Sequence, residues 1–310
     1  MRVAVIDLGT NTFNLLIAEN DDKKIKILYN EKISVKLGRG GIGNNIILPD
    51  AIDRALTALT AHNQVICNYQ AEKVIAYGTS ALRTSENSCD FVNIIKEKLG
   101  ITVEVISGDR EAELIYKGVL QTIDNITGDF LILDIGGGSN EFILANKKEI
   151  IWKRSFKLGM ARLNEKFHPS DPINEKEIIE MTNYFEQELN PLFMALKNIQ
   201  LDYIVGAEGA FESFYNIIIF KKNPLFRPLY RKTSKEISRD DFDRLHNFLV
   251  RSTATDRMKL KGLEPYRVEM IVPASIFVKY ILDKLNIKKI AISSHSMKEG
   301  AAYEILNNLS

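Results

Sequence analysis

The sequence predicts an α/β protein built as two similar domains that face each other across a cleft, and three observations carry that prediction. From residue 49 onward, strand-length apolar runs alternate with helical segments of 3.6-residue periodicity. A strand–Asp–Gly–turn–strand unit occurs twice, at Val3–Ala18 and Phe130–Ala145. The length, 310 residues, is about twice a ~150-residue domain. Polar residues and Gly128 break the pattern between Asp124 and Asp129, which places an N-terminal domain at 1–125 and a C-terminal one at 126–310. The last helix is expected to be able to pack back on the first domain.

Val3–Ile6 reads as a buried strand that ends at Asp7 and Gly9, and Phe13–Ala18 returns beside it as a hairpin. Lys24–Leu28 and Glu31–Lys36 are expected as two further strands of the meander. Pro49–Tyr69 carries apolar residues at helical spacing (Ile52, Ala55, Leu56, Leu59). A strand at Lys73–Tyr77, a helix at Ser88–Leu99, a strand at Val103–Ile106 and a helix from about Asp109 to Leu120 complete the first half. The second half opens like the first. An offset of 127 residues carries Asp7 onto Asp134, Gly9 onto Gly136, Thr12 onto Ser139, Leu16 onto Ile143 and Ala18 onto Ala145 without a gap. Helices are then expected at Asn174–Leu189, Arg239–Ser252, Ala274–Leu285 and Met297–Leu309, with strands at Tyr203–Val205 and Lys289–Ala291. The apolar stripes of the last two helices serve a core or a subunit interface equally, so a homodimer stays open.

Composition narrows the function classes. Hydrophobic residues make up 45% and charged residues 26%, with a net charge of +1, so no global field recruits nucleic acid or a membrane. No apolar run reaches the ~18 residues that span a bilayer, and the opening strand lacks a cleavable leader. Cys67 and Cys89 stand outside any CxxC spacing and only four histidines are present, which argues against both a disulfide framework and a Cys/His zinc site. Buried free thiols in a reducing cytoplasm are the expectation.

A carboxylate at a strand end beside a glycine turn has a physical use. Glycine lets backbone N–H groups approach phosphate oxygens, and neighbouring hydroxyls add donors. Two such turns facing one another can hold both sides of a phosphoanhydride chain. Asp7 and Asp134 are hard oxygen donors suited to Mg²⁺, with Mn²⁺ as an alternative that carboxylates alone do not exclude. In Ser107-Gly108-Asp109-Arg110-Glu111-Ala112-Glu113, Ser107 or Asp109 caps a helix with acids in its first turn. Next to the second domain, that helix can project one carboxylate into the cleft, where it would orient a water for attack on phosphorus.

These stretches together resemble the exopolyphosphatase / guanosine pentaphosphate phosphohydrolase (Ppx/GppA) family of the actin-like ATPase superfamily. The matching segments are Asp7–Thr12, Val35–Gly40, Gly78–Arg83, Ser107–Tyr116, Asp134–Glu141 and Leu158-Gly159-Met160-Ala161-Arg162-Leu163. The resemblance implies actin-like (ribonuclease H-like) domains and hydrolysis of terminal phosphoanhydrides of inorganic polyphosphate, or of pppGpp. It assigns Glu111 as catalytic base and Glu141 as a second acidic residue that positions water or metal. Asp134, with Asp7, would hold the metal. Phosphate would be held by Gly9, Thr10, Asn11 and Thr12 on one side and Gly136, Gly137, Gly138 and Ser139 on the other, with Arg83 as a further contact. A kinase of the same superfamily and a non-catalytic nucleotide or alarmone sensor are the rival readings.

Two blocks depart from the family pattern. Val205-Gly206-Ala207-Glu208-Gly209-Ala210-Phe211 stands where relatives carry a small Gly-rich loop, which argues against a nucleoside there. Ser294–Gly300 keeps a cation, Lys298, without arginine's fork, and His295 reads as a capping or packing residue. Between Phe220 and Lys235 lie Lys221, Lys222, Arg227, Arg231, Lys232 and Lys235, interleaved with Phe226 and Tyr230. Such a stretch can steer a long polyanion or lie as a solvated loop; nucleic acid is not the expected partner.

Overall fold

The computed structural model describes residues 1–21, 24–123, 126–223 and 235–308. Its strands are β1 (Arg2–Leu8), β2 (Thr12–Asp21), β3 (Lys24–Ser34), β4 (Lys73–Gly78), β5 (Val103–Val105), β6 (Phe130–Ile135), β7 (Asn140–Ala145), β8 (Ile150–Phe156), β9 (Tyr203–Ala207), β10 (Lys235–Ser238) and β11 (Lys289–Ser293). The α-helices are α1 (Pro49–Asn68), α2 (Ser80–Thr84), α3 (Ser88–Leu99), α4 (Gly108–Val119), α5 (Met160–Phe167), α6 (Glu175–Glu188), α7 (Asn190–Ala195), α8 (Gly209–Lys222), α9 (Arg239–Leu249), α10 (Ala254–Met258), α11 (Ile271–Lys284) and α12 (Met297–Asn307).

Two sheets follow the same path. The first runs β3-β2-β1-β4-β5 and the second β8-β7-β6-β9-β11-β10. In each, an antiparallel hairpin and its neighbour are followed by two parallel-paired strands, the second sheet adding β10 antiparallel at its edge, so the α/β fold with a doubled, ribonuclease H-like sheet stands as expected. Both hairpin strands at the sheet centres are buried on both faces. Val3 and Val5 point to one core, Ala4, Ile6 and Leu8 to another. β6 divides likewise, with Phe130 and Ile132 in the core shared between the sheets and Leu131, Leu133 and Ile135 in an outer one. The shared core also holds α4 and α12. These two helices exchange sides: α4 packs on β7 and β8 of the second sheet, α12 on β1 and β2 of the first.

Several expectations change. The two strands expected at Lys24–Leu28 and Glu31–Lys36 form one strand, β3, whose pairing with β2 continues on both sides of a one-residue register shift at Leu28, opposite Ile17 and Ala18. The stripes on α11 and α12 are spent on the core, since Ile271, Phe277, Ile281, Ala301 and Ala302 are all buried within the chain. Cys67 and Cys89 are free but exposed, carried on the outward faces of α1 and α3, and are not the buried thiols expected. In the basic stretch, Phe226, Arg227, Tyr230, Arg231 and Lys232 lie outside the described residues. Of its flanks, Lys222 is paired with Asp241 at 2.6 Å and Lys235 lies 5.0 Å from the Tyr215 ring. No helix among the described residues is long and apolar enough to cross a membrane.

Candidate active site

The two repeated turns have the same backbone geometry. Gly9 N–H donates to Thr12 O at 3.1 Å, and Gly136 N–H to Ser139 O at 3.0 Å. A Cβ at Gly9 would lie 2.8 Å from Thr12 O, and at Gly136 2.7 Å from Ser139 O, so both turns close only around glycine. The loops also meet: a Cβ on Gly137 would stand 2.3 Å from Asn11 Nδ2. Asp7, Gly9, Thr10, Asn11, Thr12, Asp134, Gly136, Gly137, Gly138, Ser139, Glu111 and Glu141 all line one cavity of about 150 Å³. Two hydroxyls in its wall, Thr10 Oγ1 and Ser80 Oγ, are buried without a hydrogen-bond partner, which leaves them able to donate to an oxyanion.

Five carboxyls line this space: Asp7, Glu111, Asp134, Glu141 and Glu208. Burial lifts Asp7 to about 6, against a hydrogen bond from Asn14 Nδ2 (2.8 Å) and the charge of Lys298, which pull it down. Burial and then the charge of Glu141 lift Asp134 to about 8, although Ser296 donates to it. Glu141 is 2% exposed and raised by burial, partly offset by Ser139 and Ser155, whose hydroxyls each donate to Oε1 at 2.7 Å. Glu111 stands well above the usual carboxylate range through burial and the nearby Glu141 charge, with Arg83 opposing.

Ser107 caps α4 through its side chain, accepting from Arg110 N–H, and that cap aims Glu111 at the cavity. Arg83, on α2, does not line this cavity. Its Nη1 donates to Glu111 Oε2 at 2.9 Å and to Ile106 O at 3.0 Å, while Nη2 reaches Ser139 Oγ at 3.4 Å. It therefore meets the site through Glu111 and Ser139 and not as a wall of the same space. Arg162, within a segment matched by resemblance but given no role, binds Gly138 O, Ile42 O and Thr84 Oγ1 and ties the second loop to the first half.

The departures from the family pattern acquire physical content. Glu208, at φ 43°, lines the same cavity between Lys32 (3.1 Å) and Lys298, and both cations hold it well below the usual range despite burial. Lys298 is 2% exposed and also faces Glu299, so it is an internal counter-ion. Phe211 is fully buried beneath Gly206 and takes no part in the cavity. His295 is buried beside Ser293, its N–H donating to Ser293 Oγ. Asn14, Ser155, Ser296 and Lys32 were not foreseen; Asn14 alone had a sequence signal, as the residue that the 127-residue offset carries onto Glu141.

No group of three or more His, Cys, Asp or Glu among the described residues is placed to hold a metal ion by itself. The donor chemistry nonetheless suits a hard divalent cation. Asp7 and Asp134 offer oxygen only, and their raised affinity for protons marks a space where a cation would relieve repulsion. Mg²⁺ is commonly held by one or two carboxylates, with water and phosphate completing its shell.

The family model described as the Ppx/GppA phosphatase family matches residues 16–309. A solved structure of an exopolyphosphatase from Cytophaga hutchinsonii is 39% identical, with a TM-score of 0.95, over 99% of this chain and 98% of that one. A bifunctional 3-dehydroquinate synthase/phosphatase of Fusobacterium nucleatum is 31% identical over 98% of this chain. A guanosine-5'-triphosphate,3'-diphosphate pyrophosphatase of Vibrio vulnificus is 27% identical over 99%. The chain spans 46% and 59% of those two curated proteins, about half their length.

Proposed function

Because the chain belongs to the Ppx/GppA phosphatase family, we propose that it hydrolyses the terminal phosphoanhydride of inorganic polyphosphate. The observation that carries this reading is the single cavity walled by both glycine turns, two unpartnered hydroxyls and Glu111. The terminal phosphoryl group would lie between the turns, with Thr10, Ser80 and the loop N–H groups donating to its oxygens. Glu111 would take the proton of the attacking water as its oxygen bonds to phosphorus. The bridging P–O bond breaks with its electron pair on the departing chain, and orthophosphate is left. Burial and the Glu141 charge raise the proton affinity of Glu111, which suits a base. Arg83 would hold Glu111 in place, and Glu141 would fix Ser139 and Ser155. Mg²⁺ or Mn²⁺, held by Asp7 and Asp134, would neutralise charge that develops on the phosphoryl oxygens.

Lys32, Arg267 and Lys298 also line the cavity; each is paired with a carboxylate, Lys32 and Lys298 with Glu208 and Arg267 with Glu264, so a phosphate chain would have to compete with those pairs. Hydrolysis of pppGpp is the second reading, favoured by the name of the Vibrio relative. The test is a phosphate-release panel with polyphosphates of several lengths, pppGpp and ATP, with Mg²⁺ or with chelator. Wild-type protein is expected to release phosphate from polyphosphate without any acceptor and to stop on chelation. Glu111→Gln should lose roughly 10²–10⁴-fold in turnover. Faster release from pppGpp would favour the second reading; release that requires an acceptor would mark a kinase. No turnover of any anhydride would leave a binding sensor.

A further inference from the structure

We propose that a second cavity, on the opposite side of the Arg83–Glu111 ion pair, is an orthophosphate subsite through which the product leaves. As an exit route it rests on hydrolysis in the first cavity. It measures about 390 Å³, and Ser80 and Ser139 line both cavities. Glu111 belongs to the wall of one and Arg83 to the wall of the other, so their 2.9 Å contact stands at the junction.

Three features make the second cavity an oxyanion site. Ser80 is 4% exposed, and its hydroxyl has no partner in the structure. Arg83, Arg154 and Lys157 face the cavity against one carboxylate, Asp109. Among the described residues neither Arg154 nor Lys157 is in an ion pair, and the Arg154 guanidinium lies 5.3 Å from the Phe156 ring. Third, the N-terminus of α4 opens here, where the first N–H groups of a helix lack intrahelical acceptors. A Cβ at Gly108 would fall 2.4 Å from Ser155 Cβ, so the glycine brings that helix end against the β8 wall.

Chain geometry supplies the reason for a second opening. A terminal phosphoryl group cut from a polyphosphate still has the shortened chain behind it in the first cavity. Orthophosphate that moves past Ser80 and Ser139 meets no chain, and the cations of the second cavity receive it.

Calorimetric titration of orthophosphate into the whole chain in Mg²⁺ tests this directly, alongside phosphate inhibition of polyphosphate hydrolysis. Wild-type protein is expected to titrate two sites. The variant Arg154→Ala/Lys157→Ala should weaken one of them about tenfold or more and raise the inhibition constant for phosphate in step. The surface variant Lys96→Ala/Lys98→Ala should change neither. The proposal is overturned by unchanged phosphate affinity in the first variant, or by equal weakening in the second. It is also overturned if KM for polyphosphate rises while phosphate affinity holds, which would make the cavity a path for the substrate chain. If no anhydride is cleaved, the hydrolase reading fails, yet the titration still decides whether the subsite binds phosphate.

Discussion

At the tip of the first hairpin Asp7 faces Asn14; at the tip of the second Asp134 faces Glu141. The backbones match turn for turn, so the two tips differ chiefly in an amide against a carboxylate. The amide donates to Asp7 and helps hold it near 6, while the second carboxylate helps lift Asp134 to about 8. The comparison teaches that a duplicated scaffold fixes position, and one side chain then sets charge. The first tip leaves one acid with a neutral neighbour; the second sets the charge of Glu141 beside Glu111, the residue proposed as the base.

The largest test of this contrast replaces the acid by an amide. Glu141→Gln makes the second tip resemble the first, and steady-state kinetics should show turnover reduced by roughly 10²–10³-fold, in the range for loss of one preorganised charged group. Asn14→Ala, the corresponding change on the other side, should cost only several-fold; equal losses would erase the asymmetry. Backbone equivalence is probed by Gly9→Ala and Gly136→Ala. Each puts a Cβ under 3.0 Å from the carbonyl three residues on, so each should destabilise by about 1–3 kcal/mol in urea unfolding. A marked difference between the two would show that the turns are not equivalent.

The smallest effect is a pH dependence. A carboxyl whose folded pKa is raised binds more protons folded than unfolded, so it stabilises below the unfolded value and loses that contribution as pH rises through the folded one. With chelator present, Tm should fall by roughly 5 °C between pH 5 and pH 8 as Asp7 and then Asp134 ionise. Asp134→Asn should flatten the slope above pH 6 and Asp7→Asn the slope below it. A Tm that rises over this range in the metal-free protein would contradict the burial of these acids.

Much of this was legible in the chain. The 127-residue offset placed Asp7 on Asp134 and Gly9 on Gly136, and the structure gives both pairs the same turn. Of the two caps read for α4, Ser107 or Asp109, Ser107 is the one. What escaped reading depends on partners far away in sequence. Ser296 reaches Asp134 across 162 residues, and Lys32 reaches Glu208 across 176; no local pattern encodes either. Helix α8 escaped for another reason. It is apolar around most of its circumference, so Phe211 to Ile219 shows no stripe, and it begins at Gly209 directly after Glu208, both at positive φ. Strand β3 was divided because its middle, Tyr29-Asn30-Glu31, is polar, a mark of its place at the sheet edge.

The exchange of α4 and α12 bears on how the molecule is made. These helices cross so closely that a Cβ on Gly118 would lie 2.1 Å from Ser296 O, and one on Gly300 1.8 Å from Leu114 O. During synthesis the first sheet is complete by residue 105, yet the helix that covers its inner face, α12, begins only at Met297. Until the ribosome delivers it, Val3, Val5 and Leu16 stand uncovered, and α4 has no surface of its own to settle on before β7 and β8 arrive. The halves of this chain are therefore not built one after the other; each waits for the other, and both close only once α12 has been made.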